Sequence, residues 1–404
     1  MMEPVEIGDC GGYVVEAAEP AIGLMGWVAV HTQGPRGSCG GVRLCPDVRR
    51  EEVVALARAM AYKYGFCEME LGGAKAGVVI AQGIKAGERA FLLRRFGQRI
   101  AGLLRTGLYR PWTDMGCASA DVRLIYEGAG ISMTADLPNT AYATAVAVSQ
   151  AVQATAEHLR LQAGRCRVVI EGLGAVGRQL ARELSDWGAV IVGASTVHGA
   201  AINERGLDIE RVLQAAQTRG DAWVTEAGPW QCTERSALFA VETDVFVPCA
   251  RVGTLDEPRA RALRCRAVVP AANVPLTPEG RVVVEQRGIP VLPDFVVNSG
   301  GIIGGRVAGD HDLLRMLFRG PFRAMIGRMI TAAERTGVSM TELAKREAEA
   351  GYRAVGRRAG APPDLADKVR RRAERLGRWG AALAVRRAAE RMQSVLDARF
   401  SEAT

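Results

Sequence analysis

The sequence predicts a two-domain α/β protein, and three observations predict it. Its 404 residues exceed what one hydrophobic core usually fills, so two domains are expected. In mid-chain, CRVVIEGLGAVGRQLARELSDWGAVIVGAS (Cys166–Ser195) runs from an apolar strand through a glycine-rich turn into an amphipathic helix. It leaves by a second apolar strand, which makes a βαβ unit. After it, DVFVP from Asp244, AVVP from Ala267 and IPVLP from Ile289 read as further strands of a doubly wound sheet.

Taken in order, the chain first alternates short apolar runs with Gly and Pro up to about Cys45, the pattern of strands and turns. From Glu51, the residues Val53, Leu56, Met60 and Tyr64 recur at steps of three and four, which predicts a helix with Lys63 on its last turn. LGGAKAG then places Lys75 after a short strand-like piece, where Gly72 and Gly73 let other atoms approach the backbone. A lysine in a crowded, partly desolvated cleft beside a second cation loses proton affinity and becomes a usable base near neutral pH. The plainer alternative is a turn with a solvated lysine. A second helix from about Gly87 carries Leu93, Phe96, Ile100 and Leu103. YRPWTDMGC puts Asp114 in a loop opened by Pro111, either as a site carboxylate or as the cap of a helix over Asp121–Glu127.

An alanine-rich helix over Ala141–Leu161 is the expected bridge into the second domain. There Gly172, Gly174 and Gly177, with Ala175 and Val176 between them, form GxGxxG in its required strand–turn–helix context. The glycines set a tight turn and put a dinucleotide pyrophosphate on a helix N-terminus, which predicts a Rossmann domain. Asn273 in PAANVP and Asn298 in NSGG both follow strands, where ligands gather, although a lone Asn there also serves a turn. Beyond Gly305 the pattern is helical to the end.

Composition excludes several classes. With 48% apolar, 24% charged and 5% aromatic residues the chain reads as an ordinary globular protein, and no apolar run reaches the length of a membrane span. The acidic start MMEPVEIGDC lacks a secretory leader. Nine cysteines without a CxxC suggest neither a disulfide framework nor a zinc site, so a cytoplasmic protein is expected. His31, His158, His198 and His311 lie too far apart in sequence to suggest metal catalysis. Thirteen Lys and Arg against six Asp and Glu fall between Gly351 and Thr404, so +7 of the +8 net charge sits there. Without an accompanying nucleic-acid motif these are expected to be solvated basic helices.

The runs GGVRLCPDV (Gly40–Val48), AYK, LGGAKAG, TDMGC, GLGAVG, PAANVPLT and PDFVVNSGG resemble, in order and spacing, the glutamate/leucine/phenylalanine/valine dehydrogenases. The resemblance implies an α/β substrate and oligomerisation domain over 1–140 and a Rossmann domain over 141–305. Helices over 306–404 then return to the first domain and end in a basic extension. It also implies reversible NAD- or NADP-dependent oxidative deamination of an L-amino acid to a 2-oxo acid and ammonia, by a homo-oligomer (dimer, hexamer or octamer) without a metal.

Carried over residue by residue, the resemblance makes Lys75 the base that activates water and Asp114 the shuttle for the amino-group proton. Lys63 and Asn298 hold the substrate α-carboxylate, and Cys39, Gly40, Gly73, Ile302 and Gly305 belong to the substrate site. Thr140 meets the nicotinamide amide, Asn273 lies near its ribose, and Gly172, Gly174, Ala175, Val176 and Gly177 carry the pyrophosphate. Ala76 and Ala175 depart from the family's usual glycine and asparagine, which bears on turnover and cofactor orientation. Thr196 replaces the acidic residue expected at the ribose 2′-hydroxyl. Ser195, Thr196 and His198 are then candidate donors to a 2′-phosphate, so NADP is expected to be tolerated. Cys39 and Gly305 replace the lysine and serine that serve a glutamate side chain, so an apolar or aromatic amino acid is expected. Glutamate is the alternative if a cation such as Arg306 reaches the pocket. An inactive relative with a regulatory or nucleic-acid-binding role is the alternative of another class, against which the joint retention of Lys63, Lys75, Asp114 and Asn298 argues.

Overall fold

The structure, a computed structural model, describes residues 12–226, 228–305 and 311–357. These divide into two compact units, one running to Pro138 and resuming at Lys345, the other running from Asn139 to Ala344. Among the described residues no helix is long and apolar enough to cross a membrane. The basic extension beyond Arg357, and Arg306, lie outside the described residues.

The first unit holds β1 (Tyr13–Glu16), β2 (Gly26–Val30), β3 (Ser38–Cys45), β4 (Gly72–Val79) and β5 (Tyr109–Trp112) in the order β1-β2-β4-β3-β5. β1 and β2 run antiparallel to their neighbours, while β4, β3 and β5 run parallel. Side chains alternate across a strand, so each face of β4 has its own task. Ala74, Ala76 and Val78 join a core with Val42, Leu44, Phe96 and Ile125, where full burial of a side chain such as Phe96 contributes about 2–3 kcal/mol. Gly73, Lys75 and Gly77 turn to the other face, against the helix Arg50–Phe66. A Cβ on Gly73 would stand 2.1 Å from the Ala61 amide nitrogen, so only glycine lets the helix backbone come so near.

Lys75 thus lies inside β4, not after a strand as expected, because Gly72 and Gly73 open the strand and the helix seals it. Pro111 likewise sits within β5 and opens no loop. β5 is an edge strand, where a missing N–H is tolerated. The helix Ser119–Gly128 is capped by its own Asp121, whose Oδ2 accepts from the Ala118 amide at 2.8 Å. Asp114 is not needed as a cap. The helix Met340–Arg357 joins this unit from Lys345 onward. A Cβ on Gly65 would stand 2.4 Å from Ala348 O, and one on Gly351 2.0 Å from Gly65 O, so the two helices meet backbone to backbone. Thr32 Oγ1 accepts from the Gly73 amide at 2.9 Å and lies 3.1 Å from the Tyr352 hydroxyl.

The second unit opens with the helix Ala141–His158, which stops where Arg160 turns to φ +57°. Its sheet comprises β6 (Arg167–Glu171), β7 (Val190–Thr196), β8 (Gly199–Ile202), β9 (Gln231–Thr233), β10 (Val245–Pro248) and β11 (Ala267–Val268). The order is β11-β10-β6-β7-β8-β9, parallel through β7 and closed by the antiparallel β8 and β9. The run Ile289–Pro293, expected as a strand, contributes only a single parallel bridge, Val268↔Val291. Pro290 and Pro293 remove the donors a longer ladder would use. The helix Ala175–Trp187 joins β6 to β7 and buries Leu180 and Leu184.

Candidate active site

In the first unit, the alternation of β4 and the register of β3 put three polar side chains together. Arg43 pairs with Gly77 and Cys39 with Gly73, so both belong to the face that carries Lys75. The chain then leaves β5 so that Asp114 closes over them. Lys75 Nζ stands 2.8 Å from Asp114 Oδ2, and Arg43 Nε stands 3.3 Å from the same oxygen. Arg43 also pairs with Glu52, one turn into the helix Arg50–Phe66. Burial alone would raise the Asp114 carboxyl. The charges of Lys75 and Arg43, with hydrogen bonds from Lys75 and the Met115 amide, outweigh it and hold Asp114 well below the usual carboxylate range. The lysine and carboxylate side chains are 3% and 19% exposed, so the pair sits in a medium where charge interactions persist.

Lys63 is buried on the last turn of its helix. Cys39 is buried beside Gly40, whose carbonyl accepts from the Tyr109 hydroxyl at 3.0 Å. Arg43, a cation that the sequence reading did not name, shares the Asp114 carboxylate with Lys75. Arg43 stands within the run GGVRLCPDV, but its role was not legible there, because Asp114 lies 71 residues away.

In the second unit, Asn298 Nδ2 donates to Ala271 O at 3.1 Å and to Asn273 Oδ1 at 2.9 Å, so the two asparagines predicted from separate motifs are joined. Asn298 is 3% exposed and its Oδ1 has no partner, an unsatisfied acceptor that a ligand donor would complete. Ile302 follows on the short helix Gly300–Gly304, with Gly305 as its cap residue, both partly exposed. A Cβ on Gly301 would stand 3.8 Å from Thr140 Oγ1, which brings Thr140 alongside this segment.

The glycine turn fits a dinucleotide. Gly172 has φ +104°, a conformation side chains rarely adopt, and a Cβ on Gly177 would stand 2.2 Å from Gly172 O. Around Gly174 the space is open, and the helix Ala175–Trp187 that it precedes has no side-chain cap. Exposed Gly174 and Ala175, with half-buried Val176, therefore present free N–H groups suited to a pyrophosphate. Of the three side chains expected as donors to a 2′-phosphate, Thr196 has its hydroxyl proton engaged. Ser195 Oγ accepts from the Gly172 amide at 3.1 Å, and Thr196 Oγ1 donates to Asp221 O at 2.6 Å. His198 is exposed, and its amide donates to Thr196 Oγ1 at 3.2 Å.

The family described as Glutamate/Leucine/Phenylalanine/Valine dehydrogenase matches residues 138–319, and its partner description, Glu/Leu/Phe/Val dehydrogenase, dimerisation domain, matches residues 15–129. An NADP-specific glutamate dehydrogenase of Saccharolobus shibatae is 27% identical over 300 residues, 70% of each chain. An NAD-specific glutamate dehydrogenase of Staphylococcus aureus is 30% identical over 293 residues, 69% of this chain and 70% of the relative. Among solved structures, the hetero-hexameric glutamate dehydrogenase of Thermus thermophilus, in a leucine-bound form, superposes with a TM-score of 0.71 at 25% identity. It covers 90% of this chain and 89% of its own. The L-tryptophan dehydrogenase of Nostoc punctiforme shares the fold at a TM-score of 0.58 and 22% identity, over 85% of this chain and 96% of its own.

Proposed function

Because the chain belongs to the Glu/Leu/Phe/Val dehydrogenase family, we propose that it oxidatively deaminates an L-amino acid with an apolar or aromatic side chain, using NAD or NADP. The observation that carries this reading is the buried cluster in which Asp114 bridges Lys75 and Arg43. When bound, the nicotinamide accepts the hydride from the substrate Cα. Asp114, kept anionic by two cations, takes the proton of the substrate ammonium, and the neutral amine then releases hydride more readily. Once Asp114 carries the substrate's proton, Lys75 has lost its anionic partner; after giving its own proton to solvent, the neutral amine takes one from the water that attacks the imino acid. Lys63 supplies a buried cation for the α-carboxylate, whereas the Asn298 amide nitrogen, engaged by Ala271 O and Asn273 Oδ1, serves a carboxylate only once those bonds are given up; Thr140 and Asn273 orient the nicotinamide riboside.

The side-chain reading rests on Cys39 and Gly305. A glutamate carboxylate brought there without a cation or donor loses its hydration at a cost on the order of several kcal/mol. Glutamate is the second reading, favoured by the glutamate dehydrogenases among the relatives. Self-association through residues 15–129, the part matching a dimerisation domain, belongs to the same proposal. So does a cytoplasmic setting, supported by eight free cysteines among the described residues.

The test is a panel of L-amino acids with NAD and with NADP, followed by the absorbance of reduced nicotinamide. Leucine, valine, phenylalanine or tryptophan is expected to lead in kcat/KM. Glutamate at the head of the panel overturns the side-chain reading, and no turnover with any amino acid overturns the dehydrogenase reading.

A further inference from the structure

The end of β7 lacks the carboxylate that usually reads a dinucleotide's adenosine ribose, since Thr196 stands there. Thr196 is 6% exposed, and its hydroxyl donates to the backbone carbonyl of Asp221 at 2.6 Å. That bond fastens residue 221, which opens the connection after the helix Ile209–Arg219, to the end of the strand. The Asp221 carboxylate, 46% exposed, receives Arg178 Nη2 at 2.9 Å. Arg178 Nε in turn donates to Leu173 O at 3.0 Å, within the glycine turn. Residues 173, 178, 196 and 221 therefore converge at the carboxyl ends of β6 and β7. A dinucleotide whose pyrophosphate sits on the helix after Gly174 places its adenosine ribose there.

We propose that Asp221, held by Arg178, is the carboxylate that accepts the adenosine-ribose 2′-hydroxyl, and that this chain selects NAD over NADP through it. The proposal rests on the dinucleotide reading above and names the residue that reads position 2′. Among the neighbouring groups, Ser195 is buried and its Oγ accepts from the Gly172 amide, the Thr196 hydroxyl proton is spent on Asp221 itself, and the His198 side chain is exposed. A 2′-phosphate here meets a carboxylate, and Arg178 is already engaged by Leu173 and Asp221. The phosphate has to displace Asp221 to reach the guanidinium, and like charges brought together are strongly disfavoured.

The same geometry states what removing the carboxylate does. In Asp221→Asn the backbone carbonyl that receives Thr196 is retained, so the local fold stays. Arg178 is then available to a 2′-phosphate, as an arginine near this position is in NADP-dependent Rossmann domains.

Equilibrium binding of NADH and NADPH to the full chain, by calorimetry and without turnover, tests this. The parent is expected to bind NADH at least about tenfold more tightly than NADPH, and Asp221→Asn to shift the ratio of the two Kd values by about tenfold or more toward NADPH. Arg178→Ala placed on Asp221→Asn is expected to cancel the gain for NADPH. A ratio unchanged in Asp221→Asn, or a parent that binds NADPH as tightly as NADH, overturns the assignment while leaving the dehydrogenase reading in place. Failure of both nucleotides to bind the parent overturns both.

Discussion

Replacing Arg43 by Met removes one of the two cations that keep Asp114 ionised. At 3.3 Å and an effective dielectric constant of about 20, the attraction between Arg43 and Asp114 is about 5 kcal/mol before desolvation is counted. Part of that is offset by the cost of burying the guanidinium, and removing one member of a buried pair typically costs about 3–5 kcal/mol. Glu52 loses its pairing with Arg43 by the same change. Lys75 remains in place, so the Asp114 carboxyl rises without returning to its ordinary value. The sign follows from its starting point. A carboxyl depressed in the folded state stabilises the fold above its unfolded pKa, and that contribution disappears as pH falls through the folded value. In Arg43→Met the disappearance comes at higher pH. The acid limb of kcat/KM, which reports the proton acceptor of the free enzyme, is expected to move upward with it. A pH series of kcat/KM set beside urea melts of parent and variant separates the two effects. Lost stability with an unmoved acid limb refutes the reasoning and leaves Arg43 a purely structural residue.

Two further outcomes are expected. Lys75→Ala and Asp114→Asn should each lower turnover by at least about a hundredfold while NADH still binds, and near-normal rates in either purified variant would remove these residues from the chemistry. Glu171, 1% exposed with Oε2 unpartnered, is raised by burial from 4.5 to about 7, against the opposing charge of Arg235. Between those values the folded chain holds a proton that the unfolded chain has lost. Stability therefore falls as pH rises through that window, and the penalty is complete above it. Glu171→Gln should then be more stable than the parent at about pH 8, by up to about 3 kcal/mol, with the gap closing toward about pH 4. A gap independent of pH across urea melts would rule out titration of Glu171 as its source.

What was legible in the sequence was what local periodicity encodes. The helix carrying Lys63, the βαβ unit around Gly172 and the bridging helix from Ala141 each follow from spacing within one stretch. Lys75 was misplaced by a few residues because Gly-Gly reads as a turn. Only the neighbouring helix, with its Ala61 nitrogen 2.1 Å from where a Gly73 Cβ would lie, shows the pair to be the floor of a strand. The prolines of Ile289–Pro293 carried the opposite lesson, since their apolar neighbours suggested a strand that lacked the donors to form. Arg43 with Asp114, and Asp221 with Thr196, were beyond reach for another reason. Each pair joins segments whose proximity is fixed by sheet order, and sheet order is not written in either segment. Asn298 with Asn273 was half legible, as two residues after strands, but their mutual hydrogen bond was not.

The backbone-to-backbone seat between Gly65 and Gly351 also orders events in time. Residues up to Pro138 leave the ribosome first, yet the helix that fills the seat begins at Met340. At the usual pace of synthesis, the roughly two hundred residues between take about 10–40 s to make. For that interval the helix Arg50–Phe66 lacks its backbone neighbour at Gly65, and Tyr352 is not yet beside Thr32. The stretch Asn139 to Ala344 of the second unit is made within that interval. A chain halted before Ala348 would therefore carry the helix Arg50–Phe66 with the place beside Gly65 unfilled.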